Sequence, residues 1–226
     1  MNSAQLCGGA GPLRLRIFAW FMARFGVKTD KYLGHYKANL FSNLSGTVLE
    51  IGSGAGANLH YLSSAGITWI GVDPNPFMKP HLLKEAKRLD MKIELRDGIA
   101  ETLPAADESV DFVISTLVLC SVVDQKRALQ EVARVLKPGG KFLFIEHVAA
   151  RSGSWLHRIQ RLVKPLWRRM GDGCHPDRET RTALEGAGFE SIEIQEFEAP
   201  LPVVPTSRKA TTAMSPYCWM RMSSAV

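Results

Sequence analysis

The chain has 226 residues, of which 46% are hydrophobic and 22% are charged. These ordinary globular values exclude disordered, collagen-like and disulfide-scaffold proteins. The four cysteines show no Cys-x-x-Cys spacing, so no metal site is expected, and reduced thiols in a cytoplasmic protein are predicted.

The net charge of +6 is concentrated in two segments. Residues 1–31 carry +4 and residues 151–181 carry +5, which leaves −3 for the rest of the chain. Basic segments favour an anionic neighbour such as phospholipid, nucleic acid or an acidic substrate, and a solvated helix face explains them equally well. No apolar run approaches the ~20 residues that span a bilayer. The absence of acidic residues before Asp30 leaves organellar targeting open.

The first 45 residues are predicted to form a helical extension. An apolar-rich stretch with arginine flanks predicts a helix over residues 13–27. A second helix is predicted over residues 31–44, with Asp30 as its N-cap. Residues 46–226 then form the main domain.

From residue 46 onward, apolar runs of strand length alternate with amphipathic helices. Strands are predicted at 47–51, 67–72, 92–96, 110–117 and 141–148, and helices at 58–65, 76–90, 125–136, 153–169 and 178–187. This alternation is typical of a doubly wound α/β sheet. Two last strands, at 191–197 and 217–222, have no helix between them. We therefore predict a Rossmann-like sheet of seven strands with a C-terminal antiparallel hairpin.

A glycine-rich loop joins the first of these strands to the helix that follows. Gly52, Gly54 and Gly56 let the backbone turn sharply and approach a ligand, and the helix N-terminus offers free N–H groups. Asp73 ends the next strand, where its carboxylate can accept hydrogen bonds from ribose hydroxyls. Nicotinamide dinucleotides and S-adenosylmethionine both fit this pattern. A plain tight turn, with Asp73 as a helix cap, is the structural alternative.

Further strings resemble the class I S-adenosylmethionine-dependent methyltransferases over about residues 40–222. They are Leu49-Glu-Ile-Gly-Ser-Gly-Ala-Gly56, Asp73, Asp97-Gly-Ile-Ala-Glu-Thr-Leu-Pro104, Ser109-Val-Asp-Phe-Val113 and Leu136-Lys-Pro-Gly-Gly140. The resemblance implies S-adenosylmethionine as the cofactor. The residues implied to bind it are Glu50 at its ammonium, Gly52, Gly54 and Gly56 around its methionine portion, Asp73 at its ribose, Asn75, Ala100 and Glu101 at its adenine, Thr116 and Leu117 along it, and Asn58 as a further contact. One departure is Ile99, where many relatives have Asp, and Asp97 is a potential substitute.

A narrower resemblance is to the branch of animal microsomal alkyl-thiol methyltransferases and their bacterial relatives. It is carried by Asp73-Pro-Asn-Pro76, Thr116-Leu-Val-Leu-Cys-Ser-Val122, Glu146-His-Val-Ala-Ala150, Asp172-Gly-Cys174 and Glu198-Ala-Pro-Leu201. The branch implies methyl transfer to a small lipophilic acceptor, with thiol sulfur favoured and O- or N-acceptors as alternatives. Its animal members carry a longer hydrophobic N-terminal anchor than residues 13–27 provide.

Several residues are candidates for the acceptor side. His147, at the carboxyl end of the fifth predicted strand, is the candidate base, since imidazole titrates near neutrality. The candidate substrate-binding residues are Cys120, Trp155, Asp172 and His175. Each has a structural alternative: a packed histidine, a small core thiol, or ordinary turn chemistry.

The predicted helix over 153–169 is basic and amphipathic, with tryptophans at its edge. This pattern favours a peripheral membrane contact or a cap over a lipophilic substrate, and a helix packed on the sheet is the alternative. We expect no nucleic-acid partner, because no aromatic-rich RNA-binding signature is present. Two competing interpretations remain. One is a nicotinamide oxidoreductase, and the other is a non-catalytic partner protein of the same fold or a nucleic-acid binder.

Overall fold

A computed structural model describes residues 11–63, 66–147, 153–189, 191–199 and 210–214. The helices are α1 (Pro12–Leu40), α2 (Leu59–Leu62), α3 (Lys79–Arg88), α4 (Gln125–Val135), α5 (Trp155–Met170) and α6 (Thr180–Glu185). The strands are β1 (Thr47–Ile51), β2 (Thr68–Val72), β3 (Glu94–Arg96), β4 (Val110–Thr116), β5 (Leu136–His147), β6 (Gln195–Ala199) and β7 (Ala210–Met214).

Five parallel strands form the sheet in the order β3-β2-β1-β4-β5. The chain runs outward from β1 to β3 and then crosses back to β4, so the strand order reverses between β1 and β4. Open α/β sheets bind ligands at the carboxyl ends of the strands beside such a reversal. The predicted Rossmann-like α/β fold is confirmed, and it directs attention to the loops after β1, β2 and β4.

Beyond β5, the described segments β6 and β7 pair antiparallel with each other, and β7 pairs antiparallel with β5. β6 begins at Gln195, four residues later than predicted. Residues 200–209 and the strand predicted at 217–222 lie outside the described residues. The seven-stranded sheet with a terminal hairpin therefore stays a prediction.

Within the described part of the N-terminal region, one continuous helix replaces the two helices predicted at 13–27 and 31–44, so that prediction is wrong. α1 continues through Asp30, which is therefore not the N-cap of a second helix. The Asp30 carboxylate instead accepts hydrogen bonds from Lys37 Nζ and from the Tyr61 hydroxyl, each at 2.8 Å. Because these side chains satisfy the carboxylate, it does not compete for the helix backbone, and the helix is uninterrupted.

The hydrophobic core covers both faces of the sheet. On one face, Leu129 and Val132 of α4 pack with Phe142 and Phe144 of β5. On the other face, α1 and α3 pack against Trp69 of β2. The second half of α1 is thus part of the sheet's helical layer, while a division of the chain at residue 45 stays a prediction. Among the described residues, no helix combines the length and apolar character that crossing a membrane requires.

Candidate functional site

A cavity of about 770 Å³ opens at the carboxyl ends of β1, β2 and β4. Its volume is within the ~300–1,000 Å³ that is usual for small-molecule sites. It brings together most of the predicted site residues, namely Glu50, Gly52, Gly54, Asn58, Asp73, Ala100, Glu101, Thr116, Leu117, Cys120, Asp172 and His175. The cofactor half and the acceptor half predicted from sequence therefore share one cavity.

The three glycines of the loop after β1 have different surroundings. Gly52 and Gly54 line the cavity with φ angles of +66° and +52°. A Cβ at Gly52 would clash with Val118 Cγ2, whereas at Gly54 the nearest atom would be 3.8 Å away. Gly56 does not line the cavity, and a Cβ there would lie 2.9 Å from Leu82 Cδ1. The absence of a side chain at Gly56 thus lets the loop after β1 pack closely against α3.

The carboxylate of Asp73 is held by the loop backbone. Its Oδ2 accepts a hydrogen bond from Gly54 N, and its Oδ1 accepts one from Asn75 N, each at 2.8 Å. Burial raises the pKa of Asp73 to about 6, so the group is mostly ionised at neutral pH. Each carboxylate oxygen retains a further lone pair for a ligand hydroxyl.

Asn75 is buried and connects the loop after β2 to α1, since its Nδ2 donates to the carbonyl of Leu15 at 3.1 Å. Its Oδ1 accepts a hydrogen bond from Phe77 N at 3.1 Å. Asn75 does not line the cavity. The structure therefore places it as a support of the loop that carries Asp73.

Glu50 and Asn58 form a buried polar cluster at the floor of the cavity. The Glu50 carboxyl accepts hydrogen bonds from Asn58 Nδ2 at 2.9 Å and from the Trp69 indole at 3.0 Å. Burial raises the pKa of Glu50 to about 7 despite these donors. The amide oxygen of Asn58 and the hydroxyl of Ser53 are buried with no hydrogen-bond partner among the described residues. A cavity that leaves acceptors unsatisfied is suited to a ligand that donates hydrogen bonds.

The raised pKa of Glu50 predicts a pH-dependent stability. Between the ordinary pKa of 4.5 and about 7, the folded state binds more protons at this site than the unfolded state. The free energy of unfolding should therefore fall as pH rises through this window, by up to ~3 kcal/mol from Glu50. Denaturant unfolding of the ligand-free protein at pH 4.5 and 8 measures the loss.

Glu50→Gln is the matched variant for this measurement, because it removes the titration but can keep the hydrogen bonds. The Asn58 amide can rotate so that its oxygen accepts from the new side chain. Asp73 and Glu146 still titrate in the variant, so the difference between the two proteins isolates Glu50. Equal pH dependence in both proteins would show that Glu50 does not titrate in this range.

The loop after β3 provides another wall of the cavity. Ala100 and Glu101 line it, and Glu101 Oε1 also accepts hydrogen bonds from Val123 N at 2.6 Å and Asp124 N at 3.2 Å. Ile99 lines the cavity as well. Asp97, the potential substitute for an acidic residue at position 99, is exposed and does not line it.

The loop after β4 is fixed by a buried glutamate to which the sequence had given no role. Glu146 Oε1 accepts hydrogen bonds from Val118 N at 2.7 Å, Leu119 N at 2.8 Å and Ser115 Oγ at 3.1 Å. Burial raises its pKa to about 7. The sequence signal that could have identified Glu146 is an acidic residue at the end of an apolar strand. His147, the next residue, ends β5, and its side chain lies outside what the structure describes.

The segment after α5 contacts this same loop through Arg178 and His175. Arg178 Nη1 donates to the carbonyls of Leu119 at 3.1 Å and Val122, and His175 N donates to the carbonyl of Cys120 at 2.9 Å. Burial and the nearby Arg178 charge lower the pKa of His175, which favours the neutral form of its imidazole. Arg178 is a cavity residue that the sequence analysis missed, because its partners are backbone carbonyls far away in sequence.

Two helices meet over the cavity. Arg14 of α1 donates to the carbonyl of Arg169 at 3.1 Å and forms a 3.2 Å ion pair with Asp172. Phe18, Phe21, Met22 and Phe25 of α1 and Pro165 and Trp167 of α5 line the cavity. Trp155, predicted as a substrate contact, is 72% exposed and does not line it.

Comparison with known proteins identifies the family. A model described as "Methyltransferase domain" matches residues 49–144. The human thiol S-methyltransferase TMT1A is 40% identical over 81% of this chain and 80% of its own length. The human thiol S-methyltransferase TMT1B is 36% identical over 91% of this chain and 88% of its own length. This chain belongs to the same family of S-adenosylmethionine-dependent methyltransferases. The family's methyl donor is S-adenosylmethionine, which decides between the two cofactors that the glycine loop had allowed.

Solved structures agree on the fold of this family. YcgJ from Bacillus subtilis superposes with a TM-score of 0.61 at 24% identity over 73% of both chains. The [4+2]-cyclase SpnF superposes with a TM-score of 0.60 at 20% identity over 74% of this chain and 59% of that chain. A cyclase on the same fold shows that the reaction depends on the site residues.

Proposed function

We propose that this methyltransferase transfers the methyl group of S-adenosylmethionine to the sulfur of a small lipophilic thiol. The observation that carries the proposal is the identity of 40% to a thiol S-methyltransferase over 81% of the chain. The aromatic side chains that α1 and α5 contribute to the cavity wall support a lipophilic acceptor. We also propose that the protein is cytoplasmic and that it has no nucleic-acid partner. Its complete sheet is proposed to have seven strands.

The residues of the cavity suit the donor. The unsatisfied oxygen of Asn58, beside the Glu50 carboxyl, suits the ammonium of its amino-acid portion, and the open space at Gly54 lets that portion approach the backbone. Asp73 would accept hydrogen bonds from the ribose hydroxyls. The donor supplies a methyl carbon already activated by its sulfonium. The protein must therefore mainly align the acceptor and exclude water.

The other cofactor roles follow from position. Ala100 and Glu101 would flank the adenine, and Thr116 and Leu117 would lie along the donor. We propose that Asn75 and Gly56 act indirectly, because neither lines the cavity: Asn75 positions the Asp73 loop, and Gly56 allows α3 to pack closely.

On the acceptor side, Cys120, Asp172 and His175 line the cavity near the aromatic wall. His147 is proposed as the base that takes the thiol proton, given its place at the carboxyl end of β5. His175 is the second candidate, since its neutral imidazole lines the cavity and can accept a proton.

A turnover assay with matched acceptors tests the function. We expect the protein to convert S-adenosylmethionine to S-adenosylhomocysteine with 1-octanethiol and not with 1-octanol, because a thiol ionises far more readily than an alcohol. Product is measured by mass spectrometry. Turnover of the alcohol or of octylamine, but not of the thiol, would assign an O- or N-acceptor instead.

In the same assay, His147→Ala and His175→Ala locate the base. With a lipophilic acceptor thiol whose pKa is near the ~8.5 of cysteine, about 3% is ionised at pH 7, so losing the base costs up to roughly 30-fold there. The loss should shrink above pH 8.5, where the thiolate forms unaided. A loss of equal size at every pH would indicate a structural role for that histidine.

We also propose that α1 and α5 rest on anionic membranes. Both helices expose large apolar side chains, which are Leu13, Ile17 and Trp20 on α1 and Trp155, Leu162, Leu166 and Met170 on α5. Exposed arginines lie among them, at positions 16, 24, 158, 161, 168 and 169. The Arg14 contacts with Arg169 and Asp172 hold the two helices together, so the exposed side chains belong to neighbouring surfaces. In this proposal Trp155 is a membrane contact.

Vesicle flotation tests the membrane proposal. We expect binding to phosphatidylserine vesicles that weakens in high salt without vanishing, because each basic residue adds about 1 kcal/mol and apolar burial adds the rest. Trp20→Ser/Leu162→Ser should keep the fold, since both side chains are exposed, and should lose flotation. Equal flotation of the variant, or none by the wild-type protein, would contradict the proposal.

A further inference from the structure

Two cysteines from distant parts of the chain meet in the acceptor side of the cavity. Cys120 follows β4 and is buried, and Cys174 follows α5 and is half-buried. Both residues line the cavity, and His175, which follows Cys174, is hydrogen-bonded to the backbone of Cys120. Methyl transfer to an exogenous thiol uses neither sulfur, so the pair is available for other chemistry.

The backbone around the two thiols is held in place. His175 N donates to the carbonyl of Cys120 at 2.9 Å, one residue after Cys174. Arg178 binds the carbonyls on both sides of Cys120, at Leu119 and Val122. The two segments are therefore joined by hydrogen bonds directly beside the two cysteines, which keeps Cys120 and Cys174 next to each other.

The surroundings of the two sulfurs are unequal. The hydrogen bond with Cys120, together with Trp167 and the Arg178 charge, lowers the pKa of Cys174. The same hydrogen bond and complete burial raise the pKa of Cys120. Cys174 is thus the sulfur that attacks, because the thiolate is the nucleophile, and Cys120 is the sulfur that resolves.

We propose that Cys174 and Cys120 form a redox-active thiol pair that reduces a small lipophilic disulfide in the acceptor side of the cavity. The inference rests on the proposed function for its ligand class, because such a disulfide is the oxidised form of a lipophilic thiol acceptor. The aromatic wall that admits the thiol admits its disulfide as well. Reduction would release acceptor thiol inside the cavity where methyl transfer occurs.

The exchange has two steps. The Cys174 thiolate attacks one sulfur of R–S–S–R, which forms a mixed disulfide and expels one thiolate. Cys120 then loses its proton and attacks the Cys174 sulfur, which forms the Cys120–Cys174 disulfide and expels the second thiolate. The departing thiolates take up the protons lost by the two cysteines. Two electrons pass from the protein to the disulfide, and an external dithiol must reduce the pair again.

Dibutyl disulfide, without S-adenosylmethionine, is the probe. The protein used is the full chain with Cys7→Ser and Cys218→Ser, so that only the two cavity thiols remain. We expect two molecules of butanethiol per protein, a protein mass lower by two hydrogens, and a peptide cross-link between positions 120 and 174. Adding Cys120→Ser should halve the butanethiol and trap a butyl mixed disulfide on Cys174. Adding Cys174→Ser should abolish rapid release.

A second reagent tests whether the two thiols lie close together without substituting Cys120 or Cys174. Phenylarsine oxide bridges two nearby thiols, and we expect one equivalent to bind the protein that retains only Cys120 and Cys174. Butanethiol release that persists in Cys174→Ser, or the absence of both the cross-link and arsenical binding, would overturn the proposal. Because the exchange is measured without methyl donor, failure of thiol methylation alone would leave a positive exchange result intact, and the reverse also holds.

Discussion

Replacing Asp73 with alanine is expected to weaken S-adenosylmethionine binding by roughly 10²–10⁴-fold. The carboxylate is mostly ionised at neutral pH, and each hydrogen bond that it accepts from a ribose hydroxyl is worth about 1.5–3 kcal/mol. The substitution also leaves Gly54 N and Asn75 N without the acceptor that now positions them. Isothermal calorimetry measures the affinity, and circular dichroism verifies the fold.

Asp97→Ala is the matched control for this experiment. It removes a carboxylate of the same kind just after the neighbouring strand, where the side chain is exposed and does not line the cavity. We expect its affinity to remain within a factor of about two, since an exposed group without a ligand contact contributes little to binding. A folded Asp73→Ala protein with wild-type affinity would disprove the ribose assignment.

The second large effect is expected from Gly52→Ala, which should lower the free energy of unfolding by about 2–5 kcal/mol. The left-handed backbone costs a residue with a side chain about 1–2 kcal/mol, and crowding against Val118 adds about 1–3 kcal/mol. Much of the stability of an ordinary domain would be lost. Denaturant unfolding of the variant and the wild-type protein measures the difference.

Gly54→Ala separates the two contributions. Gly54 has a similar positive φ, but a Cβ there would meet nothing closer than 3.8 Å. Its cost should therefore be the backbone cost alone, about 1–2 kcal/mol. Equal losses in the two variants would mean that Val118 moves aside freely. In that case the need for glycine at position 52 would lie only in its φ angle.

The sequence by itself determined the fold class and predicted which residues form the cofactor half of the site. Apolar strands and the intervening helices repeat at the spacing of a doubly wound sheet, and in such a sheet the loops after β1 and β2 meet at one edge. Gly52, Gly54 and Asp73 could therefore be placed together from local patterns. The existence of α1 was also predictable, but its continuity was not, because Asp30 finds its partners at Lys37 and at Tyr61 of a different helix.

Only the tertiary structure decided how the acceptor half is built. Glu146, Arg178 and the Cys120–Cys174 pair act through contacts between segments that are about 30 to 60 residues apart, and many of these contacts are made to backbone groups, which every residue has. Sequence patterns report local periodicity and side-chain chemistry, so they do not show which carbonyl a distant arginine will meet. The same limit applies to Asn75 and Trp155. The family resemblance implied a ligand contact for Asn75, and the pattern of its helix favoured one for Trp155. The structure buries Asn75 within the loop after β2 and leaves Trp155 exposed.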